Sequence, residues 1–484
     1  VEYAKGRLSL PWQASGHALM RYLALVPCFS LLCMGTAAFF FLPVATQVLA
    51  DGGAGHIDAA LTAPCVVTSI AVSVLAKMCY EVGLDVLTFK CLFRGLRRPA
   101  LPEDRERLVH AVIICAYKEP FEVLAATIGS LAANNLAKSC VVILATEARD
   151  ESADSTFARL HAEFGGAFLE LFQTRHSLGP GEVAGKSSNE RHACMELYSW
   201  AQARSIDPYT VMVTTADADS QFDSVFLEHL EAEFCRQPDG RHTLFDSPIN
   251  TYRNLAACHP LVAVFEIERT QYCTFSALQF QPAQSNYSLT LGMAHLIDYW
   301  HPDNTSEDLH TTLKAVAFTN AAANVVVPVW SIILNDSVTG LRDRWVQAKR
   351  HMWGIEETAW VASLFPLLRW KIWLRMLQLT AGQMLTTTVV PPWLILLFPQ
   401  MWAMLAALPP RALALTVGLP LLTLGFQWVR TLVREAVLHQ CILKPRREAS
   451  KMLPISPLQW LHWGLAYPVY AFGAGLVFNT IATW

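Results

Sequence analysis

The stretch that decides the fold reads Val109-His110-Ala111-Val112-Ile113-Ile114-Cys115-Ala116-Tyr117-Lys118-Glu119-Pro120. It is a nearly continuous apolar run, rich in β-branched residues, that ends in a polar turn. Such a run is typical of a parallel strand that is buried on both faces of a sheet. Two further runs, Val141 to Ala145 and Thr210 to Thr214, have the same character. We therefore expect several strands of this kind in the middle of the chain.

Helical patterns alternate with these runs, over Pro120 to Asn135, Ser188 to Ala203 and Ser224 to Cys235. The alternation of strands and helices predicts an α/β domain with a doubly wound sheet. Ligands of such sheets bind at the carboxyl ends of the strands. The turns that follow the strands are therefore the first place to look for a functional site.

The composition of the whole chain is strongly apolar. Hydrophobic residues make up 53% of the 484 residues, charged residues only 16%, and the mean hydropathy is +0.30. Because a typical soluble protein has about 25% charged residues, the composition excludes a disordered chain and indicates a membrane protein with a sizeable soluble part. The net charge of −3 gives no electrostatic support for a nucleic-acid partner.

Five segments are apolar over a length that can cross the bilayer as a helix, which takes about 20 residues. These segments run from Tyr22 to Val48, Leu61 to Val82, Ile372 to Phe398, Ala412 to Val433 and Leu458 to Ala482. Lys and Arg cluster before the first segment, after the second, and between the fourth and fifth. The clustering places the amino terminus and the central region in the cytoplasm.

The predicted organisation follows from these segments. Two transmembrane helices occupy residues 1–90, a cytoplasmic domain residues 91–353, an interfacial helix residues 354–371 and three transmembrane helices residues 372–484. The protein is thus expected to be an integral, multi-pass membrane protein whose partners include the lipid bilayer.

Two acidic motifs are candidates for chemistry. Asp217 and Asp219 follow the third predicted strand, where two carboxylates can converge on one divalent cation such as Mg²⁺ or Mn²⁺. The alternative is a solvated turn. Glu307 and Asp308 precede a helix that starts near Leu309. They either complement the helix dipole or provide a general base for a hydroxyl group.

Two further sets of residues are candidates for binding a ligand. Tyr117 and Glu119 can hold a nucleobase through an aromatic face and a carboxylate. The alternative is a strand end with a helix-initiating proline. Gln347, Arg350 and Trp353 share one helix face, where Arg can clamp a diphosphate and Trp can stack on a sugar. The alternative for this set is an amphipathic surface helix.

The order of these motifs is informative. The strand and turn ending in Glu119, then Lys186, Asp217-Ala218-Asp219, Glu307-Asp308 and Gln347-x-x-Arg350 form a series. This series resembles the membrane-integrated family 2 glycosyltransferases, that is, the cellulose, chitin and hyaluronan synthases and their relatives. The resemblance covers about Arg107 to Glu357, and the pattern of two spans before and three after fits as well.

The resemblance implies a GT-A fold and an inverting transfer from a nucleotide sugar, most often a UDP-sugar. The donor-binding residues it implies are Tyr117 and Glu119 at the base, Glu147 after the second strand, Lys186 near the nucleotide, Asp217 at the diphosphate, and Gln347 and Arg350 at the leaving diphosphate. The other implied roles are Asp217 and Asp219 as ligands of a Mg²⁺ or Mn²⁺ ion, Asp308 as catalytic base with Glu307 beside it, and Trp353 as the contact of the acceptor sugar.

The sequence departs from the family pattern at two places. Glu147 stands where the family has an aspartate pair, and His351 follows Arg350, so that the tryptophan is displaced to Trp353. The displacement leaves the acceptor open. One hypothesis is a synthase that extends a polysaccharide and passes it across the membrane. The alternative is the transfer of a single sugar to a lipid, such as a polyprenyl phosphate or a sphingolipid. A third hypothesis, a catalytically inactive scaffold, is disfavoured by the intact aspartates.

Overall fold

A computed structural model of the chain describes residues 56–249, 251–279, 282–304, 306–319, 326–349, 410–446 and 452–471. The chain divides into two compact units, Val1–Glu81 and Val82–Trp484. In the first unit, the described residues form the beginning of helix α1 (His56–Gly95), where Lys77 and Glu81 form an ion pair one turn apart. The fold described below belongs to the second unit.

Each of the three apolar runs forms a strand in the second unit, as predicted. The strands of this unit are β1 (Val109–Ala116), β2 (Cys140–Glu147), β3 (Glu170–His176), β4 (Val211–Ala216), β5 (Gln221–Phe222), β6 (Leu244–Asp246), β7 (Tyr287–Thr290), β8 (Val326–Pro328) and β9 (Ile333–Leu334). All residues of β2 are buried, as expected of a parallel strand that is covered on both faces.

The helices of the second unit alternate with the strands in the first half of the domain. They are α2 (Phe121–Ala132), α3 (Ala153–Phe164), α4 (Lys186–Ala203), α5 (Phe226–Arg236), α6 (Pro260–Gln279), α7 (Leu291–Leu296), α8 (Glu307–Thr319), α9 (residues 341–349), α10 (Pro410–Val437) and α11 (Pro457–Val469). Helices α2, α4 and α5 confirm the three predicted helical segments to within a few residues at each end.

In the described part of the chain, the main sheet has seven strands in the order β3-β2-β1-β4-β7-β6-β8. Strands β3, β2, β1 and β4 are parallel, whereas β7 is antiparallel to both β4 and β6. The prediction of a doubly wound sheet therefore holds for the first four strands, and the whole sheet is mixed. The short strands β5 and β9 form a separate antiparallel pair.

Two apolar cores lie on opposite faces of this sheet. Alternate residues of β1 enter each core: Val112 and Ile114 pack on the side of α2, α3 and α5, while Ala111 and Ile113 pack on the side of α4 and α7. This division follows from the two-residue period of a strand. Because both faces are covered by helices, the polar groups of the parallel strands are accessible mainly at the strand ends.

The predicted membrane segments are only partly described. Within the described residues, no helix combines the length and the apolar character needed to cross a membrane. The second and fourth predicted spans fall in α1 and α10, and the beginning of the fifth falls in α11. The first and third spans, the interfacial helix at 354–371 and the end of the fifth span lie outside the described residues. The arrangement in the membrane stays a prediction.

Candidate active site

The crevice between β1 and β4 is the point where the parallel strand order changes direction, and the carboxyl ends of both strands open into it. The turn after β1 forms one side. Its central residue, Lys118, has a left-handed backbone with φ of 60°, which is uncommon for a residue other than glycine. The Lys118 N–H donates to Asp150 Oδ2 at 2.8 Å. Asp150 thus holds the turn in place.

The residues predicted to hold the base gather at this turn. The guanidinium of Arg149 lies 4.2 Å from the centre of the Tyr117 ring, and Arg149 also forms an ion pair with Glu147. Glu119 lines an adjacent shallow depression together with Thr146 and Asp150. The structure therefore brings Tyr117, Glu119 and Glu147 to the same edge of the sheet.

Asp150 is a residue of this turn that sequence analysis missed. Besides Lys118, its carboxylate accepts hydrogen bonds from the N–H of Ser152 at 3.0 Å and from its hydroxyl at 2.7 Å. Burial raises the pKa of Asp150, but the hydrogen bonds from Ser152 and Lys118 outweigh burial and the pKa is lowered overall. The hydrogen bond from the Lys118 N–H is therefore accepted by an ionised Asp150.

Lys186 is the centre of the site. It is the first residue of α4, and its Nζ lies 2.9 Å from Asp217 Oδ1 and 3.0 Å from Glu307 Oε1. The same Nζ donates to the carbonyl of Ser285 at 2.8 Å. Burial alone lowers the pKa of Lys186, but Asp217, Glu307 and Glu190 raise it well above its usual value. Lys186 is thus a permanent positive charge that joins the turn after β4 to the start of α8.

The Asp217 carboxylate is fixed by donors from distant parts of the chain. Ser285 Oγ donates to Asp217 Oδ2 at 2.6 Å, and Asn335 Nδ2 donates to the same oxygen at 3.3 Å. The Asp217 N–H donates to Asn286 Oδ1 at 3.3 Å. The sequence analysis did not predict a role at the site for Ser285, Asn286 or Asn335. Ser285 and Asn286 lie directly before β7, and Asn335 lies directly after β9. These two strands, which the sequence did not predict, bring the three residues to Asp217.

Asp219 is held by the residue that follows Asn335. The Asp336 N–H donates to Asp219 Oδ2 at 3.0 Å. Asp336 is itself paired with Arg253, whose Nε donates to Asp336 Oδ1 at 2.9 Å. Burial, followed by the charge of Asp217, raises the pKa of Asp219 to about 7. The carboxylate of Asp219 is therefore largely buried and repelled by the charge of Asp217.

Asp308, the predicted base, lies in the first turn of α8. Its Oδ1 accepts a hydrogen bond from the Leu309 N–H at 2.7 Å. Burial and then the charge of Glu307 raise the pKa of Asp308 to about 7, while Lys186 and Arg269 act in the opposite direction. A carboxylate with a pKa near neutrality is well suited to accept a proton from a hydroxyl group.

Two buried acids around this group were missed by sequence analysis. Asp246 ends β6, accepts a hydrogen bond from the Gln284 N–H at 2.8 Å, and has its pKa raised to about 8, mainly by burial. Glu190 is 0% exposed, and its Oε1 lies 3.8 Å from Lys186 Nζ. The four-residue spacing between Lys186 and Glu190 on one helix was the available sequence signal.

The last predicted set is only partly described. Gln347 lies in α9, where its Oε1 accepts a hydrogen bond from Arg344 Nη1 at 2.6 Å. Arg344 is buried and lies 3.3 Å from Glu266 Oε1. Arg350 and Trp353 lie outside the described residues, so their predicted contacts with the diphosphate and the acceptor stay predictions.

Part of the chain is similar to a known protein family. Residues 212–429 match the family described as Glycosyl transferase family group 2. The matched region begins in β4 and contains Asp217, Asp219, Glu307, Asp308 and Gln347. The match defines the class of the protein, which is a glycosyltransferase. Within these bounds, the chain is similar to family 2 glycosyltransferase domains.

Solved structures are also similar to the chain. One is the mannosyltransferase PcManGT from Pyrobaculum calidifontis in complex with GDP-Man and Mn²⁺, at 14% identity and a TM-score of 0.39, covering 84% of this chain and 99% of that chain. Another is GalNAc-T7 with UDP, GalNAc and Mn²⁺, at 11% identity and a TM-score of 0.32, covering 52% of this chain and 48% of that chain. A comparison with curated proteins gives no match.

Proposed function

We propose that this glycosyltransferase is a membrane-bound inverting enzyme that moves a sugar from a nucleotide-sugar donor, a UDP-sugar, to a growing polysaccharide. One observation carries the proposal: Lys186 lies within 3.0 Å of both Asp217 and Glu307. Lys186 thereby connects two parts of the site. One is the turn after β4, which suits the diphosphate, and the other is the start of α8, which provides the catalytic base. This arrangement lies at the strand ends where ligands of such sheets bind.

The proposed chemistry is a single displacement. The acceptor hydroxyl attacks the anomeric carbon of the donor sugar, and Asp308 accepts the hydroxyl proton. The bond between that carbon and the diphosphate oxygen breaks, so the configuration inverts. Negative charge then develops on the leaving nucleoside diphosphate, and the permanent positive charge of Lys186 stabilises it.

A divalent cation fits the donor set at this site. Asp217 and Asp219 supply hard carboxylate oxygens, which suit Mg²⁺ or Mn²⁺. Three acidic side chains, those of Asp217, Glu307 and Glu190, lie within 3.8 Å of Lys186 Nζ, and burial raises the pKa of Glu190 well above its usual value. Among the described residues, no three acidic, histidine or cysteine side chains converge on one metal position, so the donor diphosphate would have to supply further ligands. A cation bound by Asp217 and Asp219 would neutralise that diphosphate.

The proposed position in the membrane has separate support. Helices α10 and α11 expose apolar side chains at helical spacing, namely Leu421, Leu422, Val429, Val433, Leu458, Leu461, Leu465 and Val469. Exposed apolar stripes of this kind are unusual on a soluble surface and suit contact with lipid. We propose that these helices lie in the membrane, that the catalytic domain is cytoplasmic, and that the polysaccharide is passed to the other side.

The function is tested by incubating the purified chain with radiolabelled UDP-sugars and Mn²⁺ and by sizing the product. We expect UDP release and a high-mass product that a glycosidase digests and that has inverted anomeric configuration. A single organic-soluble glycolipid would instead establish the alternative acceptor, a polyprenyl phosphate or a sphingolipid. Absence of both transfer and nucleotide release with every donor would contradict the proposal.

The pH dependence of transfer follows from the environment of Asp308. The active form of a general base is the deprotonated form, and the pKa of Asp308 is raised to about 7. We therefore expect kcat/KM to rise with pH below about 7 and to level off above it. The measurement is a pH–rate profile at saturating Mn²⁺, with enzyme stability checked at each pH. A profile that is flat between pH 5 and 8 would argue against Asp308 as the base.

A further inference from the structure

Glu190 has no part in the mechanism described above, yet its environment is unusual. It is 0% exposed, and neither of its carboxylate oxygens accepts a hydrogen bond from any described residue. A buried carboxylate without hydrogen bonds is costly unless it is paired with a charge. Among the described residues, its ion-pair partner is Lys186, at 3.8 Å, which is about 1 Å longer than a charge-assisted hydrogen bond.

The Lys186 ammonium is instead bound to the carboxylate that the cation needs. Asp217 Oδ1 lies 2.9 Å from Lys186 Nζ, and Asp217 Oδ2 accepts hydrogen bonds from Ser285 and Asn335. Lys186, Ser285 and Asn335 therefore already engage both oxygens of this carboxylate. A divalent cation that binds Asp217 would therefore lie close to the ammonium group and be repelled by it.

We propose that Lys186 competes with the divalent cation for Asp217, and that Glu190 is a positioning residue that takes up the Lys186 ammonium when cation and nucleotide bind. The proposal rests on the proposed function, because it requires a cation at Asp217. A shift of about 1 Å by the flexible Lys side chain brings Nζ into hydrogen-bond distance of Glu190. Glu190 thus makes room for the cation without removing positive charge from the site.

The test is the affinity of the purified full-length chain for Mn²⁺, measured by electron paramagnetic resonance with Mn²⁺ alone and with Mn²⁺ plus UDP. We expect Glu190→Gln to raise the Kd for Mn²⁺ in the presence of UDP about tenfold, within the usual range of coupling between sites. Lys186→Met should lower the Kd for Mn²⁺ alone, because the competing charge is gone. The decisive variant combines both substitutions. Since Glu190 acts through Lys186, Glu190→Gln should have no effect in the Lys186→Met background.

Glu231→Gln is the matched control, because Glu231 is also buried but pairs with Arg105, 3.1 Å away. It should bind Mn²⁺ like the wild type. An equal effect of Glu190→Gln in both backgrounds would overturn the proposal and indicate only a general field of negative charge. If Glu190→Gln does not fold, Glu190→Asp replaces it. This variant keeps the negative charge, but its shorter side chain places the charge farther from Lys186. Unchanged Mn²⁺ affinity would therefore contradict the proposal.

The outcome also separates this inference from the proposed function. A wild-type chain that takes up no Mn²⁺, with or without UDP, would remove the cation from the proposed function and overturn the inference with it. A wild-type chain that binds Mn²⁺ and transfers sugar, but whose variants bind Mn²⁺ with unchanged affinity, would overturn the inference alone.

Discussion

Asp308→Asn is expected to lower kcat for sugar transfer about 1,000-fold, which lies within the range for loss of a general base. Asparagine has nearly the same shape, and its side-chain oxygen can still accept the hydrogen bond from the Leu309 N–H that Asp308 accepts at 2.7 Å. The helix start should therefore stay intact. Nucleotide binding should persist, because the substitution leaves Lys186, Asp217 and Asp219 unchanged. The measurement is kcat under saturating donor, together with the Kd for UDP by calorimetry.

The chain offers a matched control for this substitution. Asp154 is also an acidic residue in the first turn of a helix, α3, and it forms an exposed ion pair with Arg175 at 2.6 Å. Asp154→Asn should leave both kcat and the Kd for UDP near the wild-type values, because an exposed ion pair contributes little. Near-normal turnover of Asp308→Asn would show that another group accepts the proton. Asp246, the buried acid at the end of β6, would then be the first candidate.

The sequence was sufficient for the parts of the site that follow a strand or begin a helix. A strand buried on both faces has a recognisable apolar pattern, so the ends of β1 and β4 could be predicted to within a residue or two. Tyr117, Asp217 and Asp219 were located because they follow these strands directly. Glu307 and Asp308 were located because acidic residues favour the first turn of a helix.

The parts that support the site could not be predicted in the same way. Ser285 and Asn335, which bind Asp217, lie 68 and 118 positions away from it along the chain. They arrive there because β7 runs antiparallel to β4, and because β9 pairs with β5. Strands of two to four residues carry too short a pattern to be separated from a loop. Polar side chains at such distances are brought together only by the tertiary fold.

Asp219→Asn is expected to weaken Mn²⁺-dependent binding of UDP about 100-fold, because the affinity of a hard cation depends strongly on the number of charged ligands. Asparagine can still accept the hydrogen bond from the Asp336 N–H, which Asp219 accepts at 3.0 Å, so the turn after β4 should keep its shape. The rate of sugar transfer should fall together with the affinity for UDP. A higher Mn²⁺ concentration should partly restore both the rate and the affinity. The measurement is the Kd for UDP over a series of Mn²⁺ concentrations.

A control lies at the other end of the same strand. Asp207 caps the short helical turn before β4, and its Oδ1 accepts a hydrogen bond from the Tyr209 N–H at 3.0 Å. Asparagine is as good a cap as aspartate, so Asp207→Asn should change neither stability nor Mn²⁺ dependence. If Asp219→Asn bound UDP with the wild-type dependence on Mn²⁺, the cation would not be held by this turn.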